Sequence, residues 1–263
     1  MVRPLAITLG ALLLAILGFT AFAATQRARS NESPRPDAAQ AAETAPALQP
    51  IQDVAPPAPP KPPANEILRV RGGQTVALRS RPRGKVVRQV AATTQFGSPT
   101  TLAVAAERGG WLGVTSTDLP NGKLGWVKKR DGAVDERRTE LTIRVDLSDR
   151  RLRLMNGDRV VRAATVGIGR PGSPTPTGRF AVTDKLEGSN YGAYYGCCIL
   201  ALSGHQPNLP PGWPGGDRLA IHGTSNPAGI GGRPSAGCLH AGESDLRALM
   251  RRVPLGTPVL IRG

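Results

Sequence analysis

Short runs of alternating hydrophobic and polar residues fill most of the chain after residue 65. Alternation with a period of two places apolar side chains on one face of a strand. Gly, Pro and Asn separate the first six runs, which cover residues 67–71, 75–79, 86–90, 101–104, 110–114 and 124–127. Several short strands at this spacing predict a small all-β barrel over residues 66–130.

The same alternation returns in residues 138–263 and predicts a second, mainly β domain. The predicted strands cover residues 140–146, 159–167, 180–184, 197–202, 218–222 and 257–262. Asn156-Gly157 predicts a hairpin turn. One short helix is predicted near the C-terminus, over residues 244–252, with Ser244 as its N-cap. Its apolar face would consist of Leu246, Leu249, Met250 and Val253.

The N-terminal region has a different composition. Residues 1–24 contain Arg3 and then an uncharged apolar stretch of about 20 residues that ends in Ala-Phe-Ala-Ala. This stretch is either a cleaved signal peptide or an uncleaved membrane anchor, and both predict that the rest of the chain is exported. Residues 25–65 are rich in Ala, Pro and Gln and predict a disordered, partly extended linker.

Charge narrows the set of partners only slightly. The formal net charge is +15, and aromatic residues make up 4% of the chain. Basic residues are scattered over both halves without a nucleic-acid-binding motif, so nucleic acid is not the predicted partner. An anionic surface of the cell envelope agrees better with an exported chain.

A histidine and a cysteine in glycine-rich surroundings are the strongest candidates for chemistry. His222 lies in Ile-His-Gly-Thr and precedes Cys238, in Ser-Ala-Gly-Cys-Leu-His, by 16 positions. An imidazole near a thiol takes its proton and makes sulfur a better nucleophile. Gly223 and Gly237 would allow the backbone to approach a substrate closely. An unpaired cysteine in an oxidising compartment also favours a functional role.

These two motifs resemble the signature of the L,D-transpeptidases, the YkuD-type catalytic domain of bacterial cell-wall enzymes. The resemblance extends to residues 169–180, which are similar to the family's Thr-Pro-x-Gly-x-Phe stretch, and covers residues 138–263. It implies a β-sandwich domain that performs acyl transfer on peptidoglycan without a cofactor or metal. Cys238 would be the nucleophile and His222 the base, oriented by the carbonyl of Gly223.

The resemblance also implies which residues contact the substrate and how the reaction ends. Gly237 and its neighbours would hold the oxyanion, and Ser235, Thr224 and His240 would line the substrate site. The tetrapeptide stem would lose D-Ala and pass to an amine of another stem, giving a 3–3 cross-link. Hydrolysis by an L,D-carboxypeptidase, attachment of a protein to the wall, and a non-catalytic wall-binding role stay open. Acylation of the thiol by carbapenems is a further expectation.

Two positions depart from the family pattern. Ala236 stands where a second histidine is usual, and His240 stands where Arg or Asn is usual. His240 would share a face with Cys238 in an extended segment and so replace part of the missing function, or it would be a solvated surface residue. A metal site built from Cys238, His240, His222 and His205 matches no usual zinc spacing.

The first domain resembles bacterial SH3-like domains, with Trp111 and Trp126 on either side of an Asn-Gly turn. The resemblance implies binding to wall peptide, although both tryptophans are expected in the core. Cys197 and Cys198 are adjacent, and we expect them to be structural thiols because a disulfide between them would close a strained ring.

Overall fold

The computed structural model describes residues 65–263. The predicted signal peptide or anchor, residues 1–24, and the predicted linker up to residue 64 lie outside the described residues. Within the described part of the chain, no helix has both the length and the apolarity needed to cross a membrane. The prediction of a mainly β protein with one α-helix is confirmed.

The first sheet contains seven antiparallel strands in the order β3-β2-β6-β5-β4-β1-β7. Their bounds are β1 (Asn65–Val70), β2 (Thr75–Arg79), β3 (Val86–Ala91), β4 (Thr101–Arg108), β5 (Trp111–Val114), β6 (Gly125–Lys128) and β7 (Val134–Thr139). Apolar side chains from these strands bury each other in a separate core that includes Leu68, Leu78 and Leu112. Trp126 is buried, whereas Trp111 is only partly buried. The assignment to the SH3-like class stays a prediction.

Strand β7 was not predicted, because its sequence carries four charged residues in six. It pairs with β1 along its whole length, which supplies the hydrogen bonds that its side chains do not suggest. The chain therefore leaves the first sheet after Thr139 and enters the second part of the fold at β8.

Eight further strands form the second part of the fold. Their bounds are β8 (Leu141–Asp146), β9 (Arg151–Asn156), β10 (Arg159–Gly167), β11 (Gly178–Glu187), β12 (Cys198–His205), β13 (Arg218–His222), β14 (Leu239–Ala241) and β15 (Pro258–Arg262). They close in the order β10-β14-β13-β12-β11-β15-β8-β9. The predicted hairpin at Asn156-Gly157 joins β9 to β10.

Two long strands pass from one face of this closed sandwich to the other. The first part of β10 pairs with β9 and its end pairs with β14. Likewise, β11 pairs first with β15 and then with β12. The apolar faces enclose one core, which includes Ile143, Leu154, Leu200 and Ile221. Because β14 is only three residues long, the sequence did not predict it.

Helix α1 (Glu243–Arg252) begins one residue before the predicted start. Ser244 is not its N-cap: Gly242 occupies that position, and no side chain caps the helix. Acidic residues in the first turn and basic residues in the last turn suit the helix dipole instead. Leu246, Leu249 and Val253 are buried in the core as predicted.

Candidate functional site

His222 is the last residue of β13 and is completely buried. Its Nδ1 lies 2.6 Å from the backbone oxygen of Gly223, and a carbonyl can only accept, so Nδ1 carries the proton. Nε2 is buried and has no partner among the described residues. The ring is therefore held in the tautomer whose Nε2 lone pair is free to accept a proton.

Gly223 holds this arrangement because two backbones meet there. A Cβ at Gly223 would lie 2.8 Å from both the Cα of Gly196 and the carbonyl oxygen of Tyr195. Its N–H also donates to the carbonyl of Cys198 at 3.1 Å. The glycine that the sequence analysis placed beside the base is thus required for close packing, and its carbonyl orients the imidazole.

A tight turn presents Cys238 just before β14. The hydroxyl of Ser235 donates to the backbone oxygen of Cys238 at 2.6 Å and accepts the N–H of Gly237 at 3.1 Å. Gly237 has a φ of 126°, a backbone angle that residues with a Cβ rarely adopt. The Cys238 sulfur lies 3.8 Å from the backbone oxygen of Arg218, so the thiol packs against strand β13.

His222 and Cys238 line the same cavity, which measures about 40 Å³. A cover loop, residues 206–217, forms one side of the cavity, and Tyr194 and Tyr195 form another. The other lining residues are Gln206, Leu209, Trp213, Gly215, Gly216, Asp217, Arg218, Ala220 and Ala236.

Burial keeps both candidate catalytic groups neutral at rest. Burial and, to a smaller extent, the neighbouring His240 together lower the pKa of His222 to about 3, against the opposing effect of the hydrogen bond to Gly223. Burial raises the pKa of the Cys238 thiol to about 11, partly offset by a hydrogen bond from the backbone of Ala220. The resting pair is therefore thiol and imidazole rather than thiolate and imidazolium, and proton transfer must accompany attack by sulfur.

His240 is buried, so the alternative of a solvated surface residue is wrong. It pairs with His222 across β13 and β14, and their ring centroids are 4.6 Å apart. Its Nε2 lies 3.5 Å from the hydroxyl of Tyr194, and Nδ1 has no partner within residues 65–263. Burial lowers its pKa. The imidazole thus neighbours the candidate base.

The remaining predicted residues separate into two groups. Ala236 lines the cavity, and Ser235 shapes the turn around Cys238. Thr224 does not line the cavity; its hydroxyl accepts the N–H of Asn226 at 3.0 Å within a local turn. The N–H of Gly237 is already bonded to Ser235, which disfavours it as an oxyanion donor.

Most residues that line the cavity were not predicted as site residues, among them Tyr194, Tyr195 and Gln206. The ring of Tyr195 lies 4.9 Å from that of His222, centroid to centroid. A signal for the tyrosines existed, because all three tyrosines of the chain fall within residues 191–195. Gln206 had no such signal, since its position depends on how three loops meet.

The expectation that Cys197 and Cys198 are structural thiols is wrong. Cys197 and Cys198 form a disulfide with each other, which leaves Cys238 as the one free cysteine of the described chain. Residues 65–263 contain no group of three or more His, Cys, Asp or Glu side chains suited to a metal. His205 instead contacts Asp217 and the backbone of Thr117.

We expect the free energy of unfolding to fall as the pH is lowered from about 6.5 to about 3. The pKa of His222 is about 3 in the fold and near 6.5 in an unfolded chain, so the unfolded chain binds the proton first. The stability is fully present above pH 6.5 and is lost as the pH falls through 3, by at most about 5 kcal/mol. Denaturant unfolding at several pH values measures the free energy of unfolding. Between pH 6.5 and pH 3 this free energy should depend less steeply on pH in His222→Gln than in the wild type. Equal slopes would contradict a neutral, buried imidazole.

Part of the chain is similar to known proteins. Residues 140–261 match the family model for the L,D-transpeptidase catalytic domain, YkuD. The chain is 34% identical to YkuD of Bacillus licheniformis and 32% identical to YkuD of Bacillus subtilis, each over 121 residues. Each alignment covers 45% of this chain and 64% of the relative. The chain therefore matches less than two thirds of the length of each relative. An L,D-transpeptidase structure from Enterococcus faecium is 19% identical, with 72% of this chain and 74% of that chain covered and a TM-score of 0.39, which is too low to support a conclusion. Residues 140–261 are therefore similar to the catalytic domain of the L,D-transpeptidases of the YkuD type.

Proposed function

We propose that this protein is a peptidoglycan L,D-transpeptidase with Cys238 as nucleophile and His222 as general base. One observation carries the proposal. The imidazole of His222 donates through Nδ1 to Gly223 and leaves Nε2 without a partner among the described residues, and His222 and Cys238 line one cavity. A base so oriented, next to the free cysteine of the described chain, is the arrangement that nucleophilic acyl transfer needs.

In the proposed acylation step, the Cys238 sulfur attacks the carbonyl carbon between the third stem residue and D-alanine. His222 Nε2 takes the thiol proton as the carbon–sulfur bond forms. The carbon–nitrogen bond then breaks, and the same proton passes to the departing amine of D-alanine. Because Gly237 N–H donates to Ser235, we assign the oxyanion contact to the N–H of Cys238. Such a donor contributes about 2.7 to 4 kcal/mol in comparable sites.

In the proposed second step, an amine of another stem attacks the thioester carbonyl carbon. The carbon–sulfur bond breaks, and the proton lost by the amine returns to sulfur through His222. The product is a 3–3 cross-link. This chemistry requires an extracytoplasmic position in contact with the cell wall, which agrees with the predicted export segment in residues 1–24 and the net charge of +15.

We further propose that the two parts of the fold have different functions. The first sheet, residues 65–139, would be the SH3-like unit that contacts wall peptide, and residues 140–263 would perform the chemistry. The hydrogen bonding of β7 to β1 favours this boundary over one at residue 130.

Product analysis tests the proposed function. The full-length chain is incubated with a disaccharide tetrapeptide, and products are identified by mass. We expect a dimer lacking one D-alanine, while a disaccharide tripeptide, which has no D-alanine to release, should remain unchanged. Release of D-alanine without a dimer would indicate an L,D-carboxypeptidase. Neither product from folded protein would favour the non-catalytic wall-binding alternative.

A further inference from the structure

The first sheet contacts the catalytic part of the fold through Asn121, in the loop between β5 and β6. The side-chain Nδ2 of Asn121 donates to the backbone oxygen of His205 at 2.7 Å, and its Oδ1 accepts the N–H of His205 at 2.9 Å. One side chain thus satisfies both backbone groups of the residue that ends β12. Since His205 directly precedes the cover loop, Asn121 fixes the start of that loop.

The ring of His205 joins the end of the cover loop to the loop between β5 and β6. Its Nδ1 lies 2.9 Å from a carboxylate oxygen of Asp217, and its Nε2 lies 2.7 Å from the backbone oxygen of Thr117, in the loop between β5 and β6. Both ring nitrogens of His205 therefore have a partner. The N–H of Gln206 also donates to the backbone oxygen of Asp217 at 2.7 Å. The two ends of the cover loop are therefore joined to each other and to the first sheet.

Gln206 carries this connection to the nucleophile. It is 5% exposed, and its amide nitrogen donates to the backbone oxygen of Pro174 at 2.9 Å. Its amide oxygen accepts the N–H of Asn208 at 2.9 Å. The same amide packs against Gly237 so closely that a Cβ there would overlap it. Gln206 therefore connects the segment before β11, the cover loop and the turn that presents Cys238.

We propose that His205 and Gln206 are positioning residues through which the first sheet, anchored by Asn121, holds the Cys238 turn in its reactive geometry. The inference rests on the proposed function in taking Cys238 as the nucleophile. The two residues act on the turn and not on the substrate: His205 fixes the loop, and Gln206 packs against Gly237 at the wall of the cavity. The first sheet then contributes to the rate of the chemical step as well as to any binding of wall polymer.

The chain offers a matched control for this contact. Asn65, at the start of β1, donates through Nδ2 to the backbone oxygen of Leu141 at 3.1 Å and to the hydroxyl of Thr142 at 3.0 Å. It therefore also links the first sheet to the catalytic part of the fold with an asparagine amide. Its partners do not line the cavity of Cys238. Loss of either asparagine weakens the attachment of the two parts, but only Asn121 leads to the nucleophile.

The test compares Asn121→Ala and Asn65→Ala in the full-length chain. Intact mass measures the maximal rate of Cys238 acylation at saturating carbapenem, and thermal unfolding measures stability. We expect Asn121→Ala to lower the maximal rate about tenfold and Asn65→Ala to stay within twofold of the wild type. Gln206→Met, which preserves volume but loses the hydrogen bond to Pro174, should lower the rate at least as much as Asn121→Ala.

Several results would overturn the inference. Maximal rates within twofold of each other for Asn121→Ala and Asn65→Ala would show that the first sheet does not position the nucleophile. If Asn121→Ala unfolds, Asn121→Asp replaces it in the test. The aspartate keeps the acceptor for the N–H of His205 but loses the donor to its backbone oxygen. A maximal rate of Asn121→Asp equal to that of the wild type would also contradict the proposal. A wild type that is never acylated would refute the proposed function instead, so the two failures are distinguishable.

Discussion

Replacement of His222 by glutamine should slow acylation of Cys238 by a carbapenem about 10²- to 10⁴-fold, the usual contribution of a general base. Cys238→Ala should abolish the adduct, because the described chain has no other free thiol. The base matters greatly here because the pKa of the thiol is raised to about 11. At neutral pH very little thiolate forms without a proton acceptor. Intact mass at fixed times after mixing measures the rate.

The pH profile distinguishes loss of the base from a general defect. In the wild type both groups are neutral between about pH 5 and pH 9, given pKa values of about 3 and about 11. The acylation rate should therefore be nearly flat in that range. In His222→Gln only the thiolate can attack, so the rate should rise about tenfold for each pH unit. A flat profile in the variant would contradict the role of His222.

His240→Gln is the matched control, because both histidines are buried and adjacent. We expect it to slow acylation by less than about tenfold, since it leaves the hydrogen bond between His222 and Gly223 in place. A larger loss in His240→Gln than in His222→Gln would assign the base to His240. Circular dichroism and thermal unfolding of each variant separate these effects from misfolding.

The strands were predictable where local pattern and tertiary burial agree. The run over residues 140–146 alternates cleanly, and it forms β8 with Ile143 and Val145 buried in the core. Two strands were not predictable. Residues 134–139 are too polar, and β14 is too short, so each exists because a neighbouring strand supplies its hydrogen bonds. Long-range pairing of this kind leaves no signal in the local sequence.

The candidate site was predictable as far as its motifs extend. Cys238, His222 and Gly223 lie together because one turn and one strand end place them there. The identity of the groups around them was not predictable. Whether His240 faces solvent or His222 depends on the parallel register of β13 and β14. The contact of Gln206 with Gly237 depends on three loops that are distant in sequence.

Gly237→Ala should lower the maximal rate of acylation about 10²-fold and destabilise the fold by about 2 to 4 kcal/mol. Two independent reasons support this expectation. The backbone of Gly237 has a φ of 126°, and a Cβ would also overlap the amide of Gln206. To relieve both, the turn must shift, and Cys238 shifts with it. A displacement of about 1 Å at a nucleophile is enough for a loss of this size.

Gly97→Ala separates backbone strain from displacement of the nucleophile. Gly97 also has a positive φ, 80°, but a Cβ there would meet nothing within 4 Å. We expect Gly97→Ala to cost about 1 to 2 kcal/mol of stability and to acylate at the wild-type rate. If Gly237→Ala remained as active as Gly97→Ala, the turn would tolerate a side chain beside the thiol. The geometry held by Ser235, Gln206 and Gly237 would then not be what sets the reactivity of Cys238. A selective loss in Gly237→Ala would instead mean that catalysis depends on the backbone path of this turn as well as on the thiol and the imidazole.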